Sequence, residues 1–194
     1  MKIGIMGGTF DPIHIGHLLA AESARDSFQL DGIWFMPSHI PPHKEIAGAT
    51  GEQRLTMVAA AIADHPSFRM IDLEVRRGGI SYTMDTIKEL QQTYTEVNFH
   101  FIIGADMVNY LPKWDRIEEL SQMITFIGVG RPGSSLEIDA LPSYLQGKVL
   151  LADMPLVDIS STEIRERAMS GHSIRYMVPE PVHEYIVRSG IYEI

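Results

Sequence analysis

The chain has 194 residues, 45% hydrophobic and 21% charged, the size and balance of a globular domain with a real core. Sixteen Lys and Arg against 25 Asp and Glu leave a formal net charge of −9, which argues against a duplex-binding surface but not against a cleft where a few cations meet a small phosphorylated ligand. Cysteine is absent, as suits a cytoplasmic protein; no apolar run approaches the ~18–20 residues of a membrane span and no basic leader opens the chain, so neither nucleic acid nor membrane is an expected partner.

The first apolar run, at 2–6, predicts a buried strand that ends in Gly7 and Gly8, and the segment 15–28 predicts a helix. Further strands are expected at 32–36, 67–73, 97–103, 123–129 and 148–152. Further helices are expected at 51–64, 82–94, 114–121, 161–170 and 180–189. Thr50 with Gln53 and Ser160 with Glu163 have the spacing of capping boxes, and Gly171 and Gly190 stand where two helices should end. Residues 130–147, rich in Pro, Gly and Ser, predict a surface excursion and not a domain boundary. The alternation predicts an α/β fold, a doubly wound, mostly parallel sheet in a single domain over 1–194. In such sheets ligands bind beyond the carboxyl ends of the strands, where the strand order reverses.

The opening turn is the most informative segment. A strand, a glycine pair and a helix N-terminus present backbone N–H groups and a positive dipole end to an anion. Its spacing, Gly4-x-x-Gly7-Gly8, fits neither G-x-G-x-x-G nor a Walker A loop. His14 and His17 share one face of the first helical turn. Read alone they are two surface histidines, donors to a phosphate, or a zinc pair; the last falls short of H-E-x-x-H and has no obvious third ligand. A glycine between them, Gly16, costs a helix ~1 kcal/mol and so points to a ligand lying on the backbone.

Gly7-Gly8-Thr9-Phe10-Asp11-Pro12 with His14-Ile15-Gly16-His17 resembles the first signature of the nucleotidyltransferase superfamily. Ile159-Ser160-Ser161-Thr162-Glu163-Ile164-Arg165 resembles the second. Class I aminoacyl-tRNA synthetases share a His-Ile-Gly-His, but this chain is too short for them and lacks Lys-Met-Ser-Lys-Ser. Over essentially its whole length the chain is most similar to the bacterial nicotinate-mononucleotide adenylyltransferases. Supporting segments are Pro41-Pro42-His43-Lys44, Ser81-Tyr82-Thr83-Met84-Asp85-Thr86, Gly104-Ala105-Asp106, Pro112-Lys113-Trp114 and Arg131-Pro132-Gly133.

The resemblance implies a Rossmann-like nucleotidyltransferase fold and an enzyme of NAD biosynthesis. It would convert ATP and nicotinate mononucleotide to the deamido dinucleotide and diphosphate, with Mg²⁺ held mainly by the phosphates and no metal ligands in the protein. A mononucleotide phosphate is already mostly ionised near neutral pH (second pKa ~6). The reaction therefore needs alignment of two polyanions and stabilisation of transition-state charge, not a base. His14, His17, Lys44 and Arg165 suit that role. Gly7, Gly8, Thr9, Phe10, Gly16, Arg131, Ser160 and Ser161 are implied in ATP binding.

On the acceptor side, the resemblance implies that Trp114 stacks on the pyridine ring. It also implies that Thr83, with backbone N–H groups near Tyr82 and Tyr110, holds the nicotinate carboxylate, and that Asp106 meets a ribose hydroxyl. Each residue also has a plainer reading: Lys44 a solvated charge, Ser160 and Ser161 ordinary caps, Arg165 one half of a surface pair, Trp114 surface packing. Two other functions compete. Phosphopantetheine adenylyltransferases share the turn but typically carry Thr in place of the first His, and lack the Ser-Tyr-Thr and Lys-Trp segments. A catalytically silent nucleotide-binding sensor should have lost a histidine or Arg165. A homo-oligomer is compatible with the sequence.

Overall fold

The computed structural model describes residues 1–40, 48–130 and 138–192; Lys44 and Arg131 lie outside them. In chain order the elements are β1 (Lys2–Gly8), α1 (Ile15–Phe28), β2 (Gly32–Pro37), α2 (Gly51–Ile62), β3 (Phe68–Met70), α3 (Leu73–Arg77) and α4 (Thr83–Thr93). They continue with β4 (Asn98–Gly104), α5 (Ala105–Val108), α6 (Ile117–Met123), β5 (Thr125–Gly130), β6 (Val149–Asp153), α7 (Ser161–Met169) and α8 (Glu180–Ser189). A 3₁₀ turn at Leu111–Lys113 precedes α6. Among the described residues no helix is long and apolar enough to cross a membrane.

The strands form one sheet in the order β3-β2-β1-β4-β5-β6. β1 pairs with β4, β4 with β5 and β5 with β6, all parallel, with Lys2 opposite Asn98 and His100 opposite Thr125. This is the doubly wound α/β arrangement, and its order reverses between β1 and β4. β2 is buried along its whole length, as expected of a strand covered on both faces.

Two compact units share the chain. The first comprises Met1–Gly7, Leu19–Trp34 and Tyr82–Leu156. Its core is aromatic and aliphatic: Ile3, Ile5, Phe99, Phe101, Phe126 and Ile127. The second comprises Gly8–Leu18, Phe35–Ser81 and Val157–Ile194. There α2 packs on α8, with Met57, Val58, Val182 and Ile186 buried.

The caps form as their residues dictate. Thr50 and Gln53 close a full capping box on α2. At α7, the Ser160 hydroxyl accepts from Glu163 N–H at 3.1 Å, the first half of such a box. Gly171 (φ 70°) ends α7 in a Schellman turn, its N–H donating to Ala168 O while His172 N–H donates to Arg167 O. Gly190 (φ 62°) caps α8.

Three elements differ from expectation. The strand expected over 67–73 is Phe68–Met70 alone, because the chain turns at Asp72 into α3, whose Arg76 pairs with Asp72 at 2.6 Å. The helix expected from 114 starts at Ile117: Trp114 is extended (ψ 147°) and Arg116 is left-handed (φ 52°), so neither continues a helix. α5, four residues long, is too short to show a period in the sequence.

Candidate active site

The second unit holds the phosphate-type residues, built outward from the end of β1. Phe10 is left-handed (φ 51°) and 2% exposed, and its ring lies against Gly8, where a Cβ would sit 3.2 Å from it. This turn carries Asp11 into the interior at 4% exposure. The Asp11 carboxylate accepts from Gly48 N–H (2.7 Å), Ala49 N–H (3.1 Å) and the Tyr192 hydroxyl (2.7 Å). Arg54, 2% exposed, holds the turn from the other side. Its Nη1 donates to the carbonyls of Thr9 and Ser38, both at 2.7 Å, and its Nη2 to that of His39 at 3.4 Å.

His14 and His17 stand at the start of α1. Their rings stack with centroids 3.7 Å apart and planes inclined by 28°, and Phe10 meets His17 edge-on at 5.0 Å. His14 N–H donates to His17 Nδ1 at 3.2 Å, which places the His17 proton on Nε2 and makes that nitrogen its donor. Burial pulls the His14 imidazole down from the ordinary 6.5 to about 4, so it is neutral at pH 7. A phosphate brought beside it would push that value back up. Gly16 has a steric reason in this structure: a Cβ there would lie 3.1 Å from the His14 ring.

α7 closes the same corner. The Ser161 hydroxyl donates to Pro12 O at 2.9 Å. Arg165 Nη1 donates to Asp11 O at 2.7 Å and stands 3.9 Å from the Asp11 carboxylate. The surface-pair reading of Arg165 is therefore replaced by a tie across the fold. Four buried polar atoms have no partner among the described residues, and three of them, Thr9 Oγ1, His14 Nδ1 and Arg54 Nε, belong to this corner. Buried polar atoms left unpaired are costly, and here they fit a site meant to receive a polar ligand.

The acceptor-type residues fall in the first unit. Trp114, half-buried after the 3₁₀ turn, meets Phe101 (5.7 Å, 87°) and Phe126 (6.1 Å, 88°) edge to face. Such packing fixes the plane of an indole while part of it stays accessible. Tyr110 is 55% exposed, with Lys113 Nζ 4.9 Å above its ring. Tyr82 is the N-cap of α4 and its side chain makes no cap bond; Thr83 opens the helix beside it. Asp106 is exposed and folds its carboxylate over Gly104, where a Cβ would come within 2.5 Å of Oδ1. Gly7, at the end of β1, lies against the Phe101 ring.

Sequence reasoning missed the supports: Arg54, the Asp11 carboxylate and Tyr192. Arg54 did leave a signal, since it occupies the buried stripe of α2 with Met57, Val58 and Ala61, a charge where the period demands an apolar side chain.

This fold and this pair of signatures define a nucleotidyltransferase, and residues 5–167 match the cytidylyltransferase-like family, to which the chain belongs. It is 50% identical to the probable nicotinate-nucleotide adenylyltransferase of Oceanobacillus iheyensis, over 98% of this chain and 96% of that one. It is 46% identical to the nicotinate-nucleotide adenylyltransferase of Bacillus subtilis, over 99% and 98% of the two chains. The structure of Plasmodium falciparum nicotinic acid mononucleotide adenylyltransferase complexed with NaAD shares the fold, with a TM-score of 0.80 at 22% identity, over 98% of this chain and 97% of that one.

Proposed function

We propose that this enzyme is a nicotinate-nucleotide adenylyltransferase of NAD biosynthesis, acting in the cytoplasm. A phosphate oxygen of nicotinate mononucleotide attacks the α-phosphorus of ATP. The bond from that phosphorus to the bridging oxygen breaks, and diphosphate leaves with the electron pair. The observation that carries this reading is the corner at the start of α1, where two stacked imidazoles share one turn with Arg165, tied to Asp11 from 154 positions away in sequence.

The chemistry asked of this corner is electrostatic. His17, through Nε2–H, and Arg165, through its remaining guanidinium donors, stabilise charge on the transferring group and the departing diphosphate. His14 joins them as a neutral imidazole with one N–H to give. The Ser160 hydroxyl keeps its proton for a ligand because its oxygen only accepts in the cap. Ser161 acts chiefly by pinning α7 to Pro12. Among the described residues no group of three or more His, Cys, Asp or Glu is arranged to hold a metal, and Asp11, the buried carboxylate here, is already filled with N–H and O–H donors. Mg²⁺ enters with ATP, held mainly by the phosphates.

Trp114 offers its indole face to the electron-poor pyridine ring. The nicotinate carboxylate accepts from Thr83 and from N–H groups at the start of α4, and Asp106 takes a ribose hydroxyl. An amide in place of the carboxylate would turn an NH₂ toward donors, so the amide mononucleotide should show a kcat/KM at least about tenfold lower. Equal values for acid and amide would remove the carboxylate assignment. The reaction itself is tested by diphosphate release from Mg²⁺–ATP, which should require nicotinate mononucleotide; release with phosphopantetheine instead, or with no acceptor, would overturn it.

A further inference from the structure

Tyr192 lies two residues past Gly190, the cap of α8, and is 5% exposed. Its hydroxyl donates to Asp11 Oδ1 at 2.7 Å, the oxygen that also accepts from Ala49 N–H at 3.1 Å. The other oxygen, Oδ2, accepts from Gly48 N–H at 2.7 Å and stands 3.9 Å from Arg165 Nη1. That same Nη1 donates to the main-chain carbonyl of Asp11 at 2.7 Å. A carboxylate whose side chain is 5% exposed and a guanidinium thus share one corner without closing into a two-point fork.

The arrangement needs explaining, because an arginine beside a buried carboxylate ordinarily forms that fork. The fork is withheld here because the carboxylate is already satisfied, by two backbone N–H groups and a phenol. All three donors are neutral. Arg54, the other buried cation of the corner, is committed to the carbonyls of Thr9, Ser38 and His39. Burial, together with the hydrogen bond to Asp11, pushes the Tyr192 phenol far above its ordinary value, so it stays protonated and keeps donating. Remove that donor and Oδ1 is left short, which in a buried site favours rotation toward the nearest cation. Among the described residues that cation is Arg165, and every guanidinium N–H spent on Asp11 is withdrawn from a bound phosphate.

We infer that Tyr192 is a positioning residue, which by hydrogen-bonding Asp11 keeps Arg165 on the Asp11 carbonyl and its outer N–H groups available to substrate phosphate. The inference rests on the proposed role of Arg165 and deepens it, by naming what prevents that arginine from being captured inside the protein.

Tyr192→Phe removes one oxygen and keeps the ring. Steady-state kinetics should show kcat reduced about tenfold, with KM for nicotinate mononucleotide changed less than about twofold. Arg165→Ala should lower kcat about a hundredfold, and adding Tyr192→Phe to it should cost nothing further, because residues acting through one another are non-additive. A Tyr192→Phe enzyme with lowered Tm but wild-type kcat would overturn the inference, since it would make the contact purely structural. So would the same tenfold loss in the Arg165→Ala background. Wild-type turnover in Arg165→Ala alone would instead sink the reading of Arg165 on which the inference stands. If Tyr192→Phe does not fold, Tyr192→Met, which fills similar space without a donor, carries the same expectations.

Discussion

The corner around His14 and the face around Trp114 solve opposite problems. Around His14 the groups are buried and set before any ligand arrives: Asp11, His14 and Arg54 are 4%, 7% and 2% exposed; amides and a phenol fix Asp11, carbonyls fix Arg54, and stacking on His17 sets the His14 ring. Around Trp114 the groups are open: Tyr82 and Tyr110 are 36% and 55% exposed, and the indole is braced by two phenylalanine edges, not by hydrogen bonds to ligand-like groups. The contrast matches the roles proposed for each. Charge that appears for an instant in a transition state is stabilised only by donors that are already in place. A flat, electron-poor ring is recognised by burying it against another ring, which requires surface left open beforehand.

This division can be broken by experiment. The largest effect is expected from His17→Ala, which should lower kcat about a hundredfold, as loss of one transition-state donor does. Diphosphate release near the wild-type rate would remove histidine from the mechanism. Gly16→Ala puts a methyl 3.1 Å from the His14 ring, and a shift of that imidazole should cost about tenfold in kcat. An unchanged kcat would show that the stacked geometry does not matter to turnover.

Trp114→Ala should behave differently, raising KM for nicotinate mononucleotide about three- to tenfold while kcat stays within about twofold. If kcat fell and KM held, the separation of chemistry from recognition would collapse.

The smallest effect concerns acid. His14 has a folded value of about 4 against 6.5 unfolded, so below pH 6.5 the unfolded chain binds a proton that the folded one refuses. Its contribution to stability is therefore complete above pH 6.5 and lost as pH falls toward 4, amounting to about 1 kcal/mol between pH 6.5 and 5.5. Denaturant midpoints measured across that interval should fall for the wild type and fall less for His14→Gln. Equal slopes would place the sensitivity elsewhere.

Much of the contrast is legible in the sequence. β1, α1 and the caps of α2 and α8 are local matters, settled by apolar runs, Thr50, Gln53 and Gly190, and they stand where the sequence puts them. The histidine pair was legible because its spacing places both rings on one helical face. Tyr192 and Asp11 were not, because a bond between positions 181 residues apart leaves no periodic trace in either neighbourhood. In the sequence Gly16 points to a close approach by a ligand; the structure adds the His14 ring as a group against it, which no local pattern announces. Arg116 hid the start of α6 for a related reason, since nothing about an arginine foretells φ of 52°.

Arg54 has a consequence for how the second unit assembles. Its guanidinium joins the carbonyls of Thr9, Ser38 and His39, groups at the ends of two different strands, while its backbone belongs to α2. The glycine turn therefore cannot reach its final shape until that helix has docked, and cannot loosen by itself afterwards without stranding a buried cation. Opening of the turn and melting of α2 become one event. Amide exchange at Thr9 and Phe10 should consequently report the lifetime of a helix more than forty residues downstream.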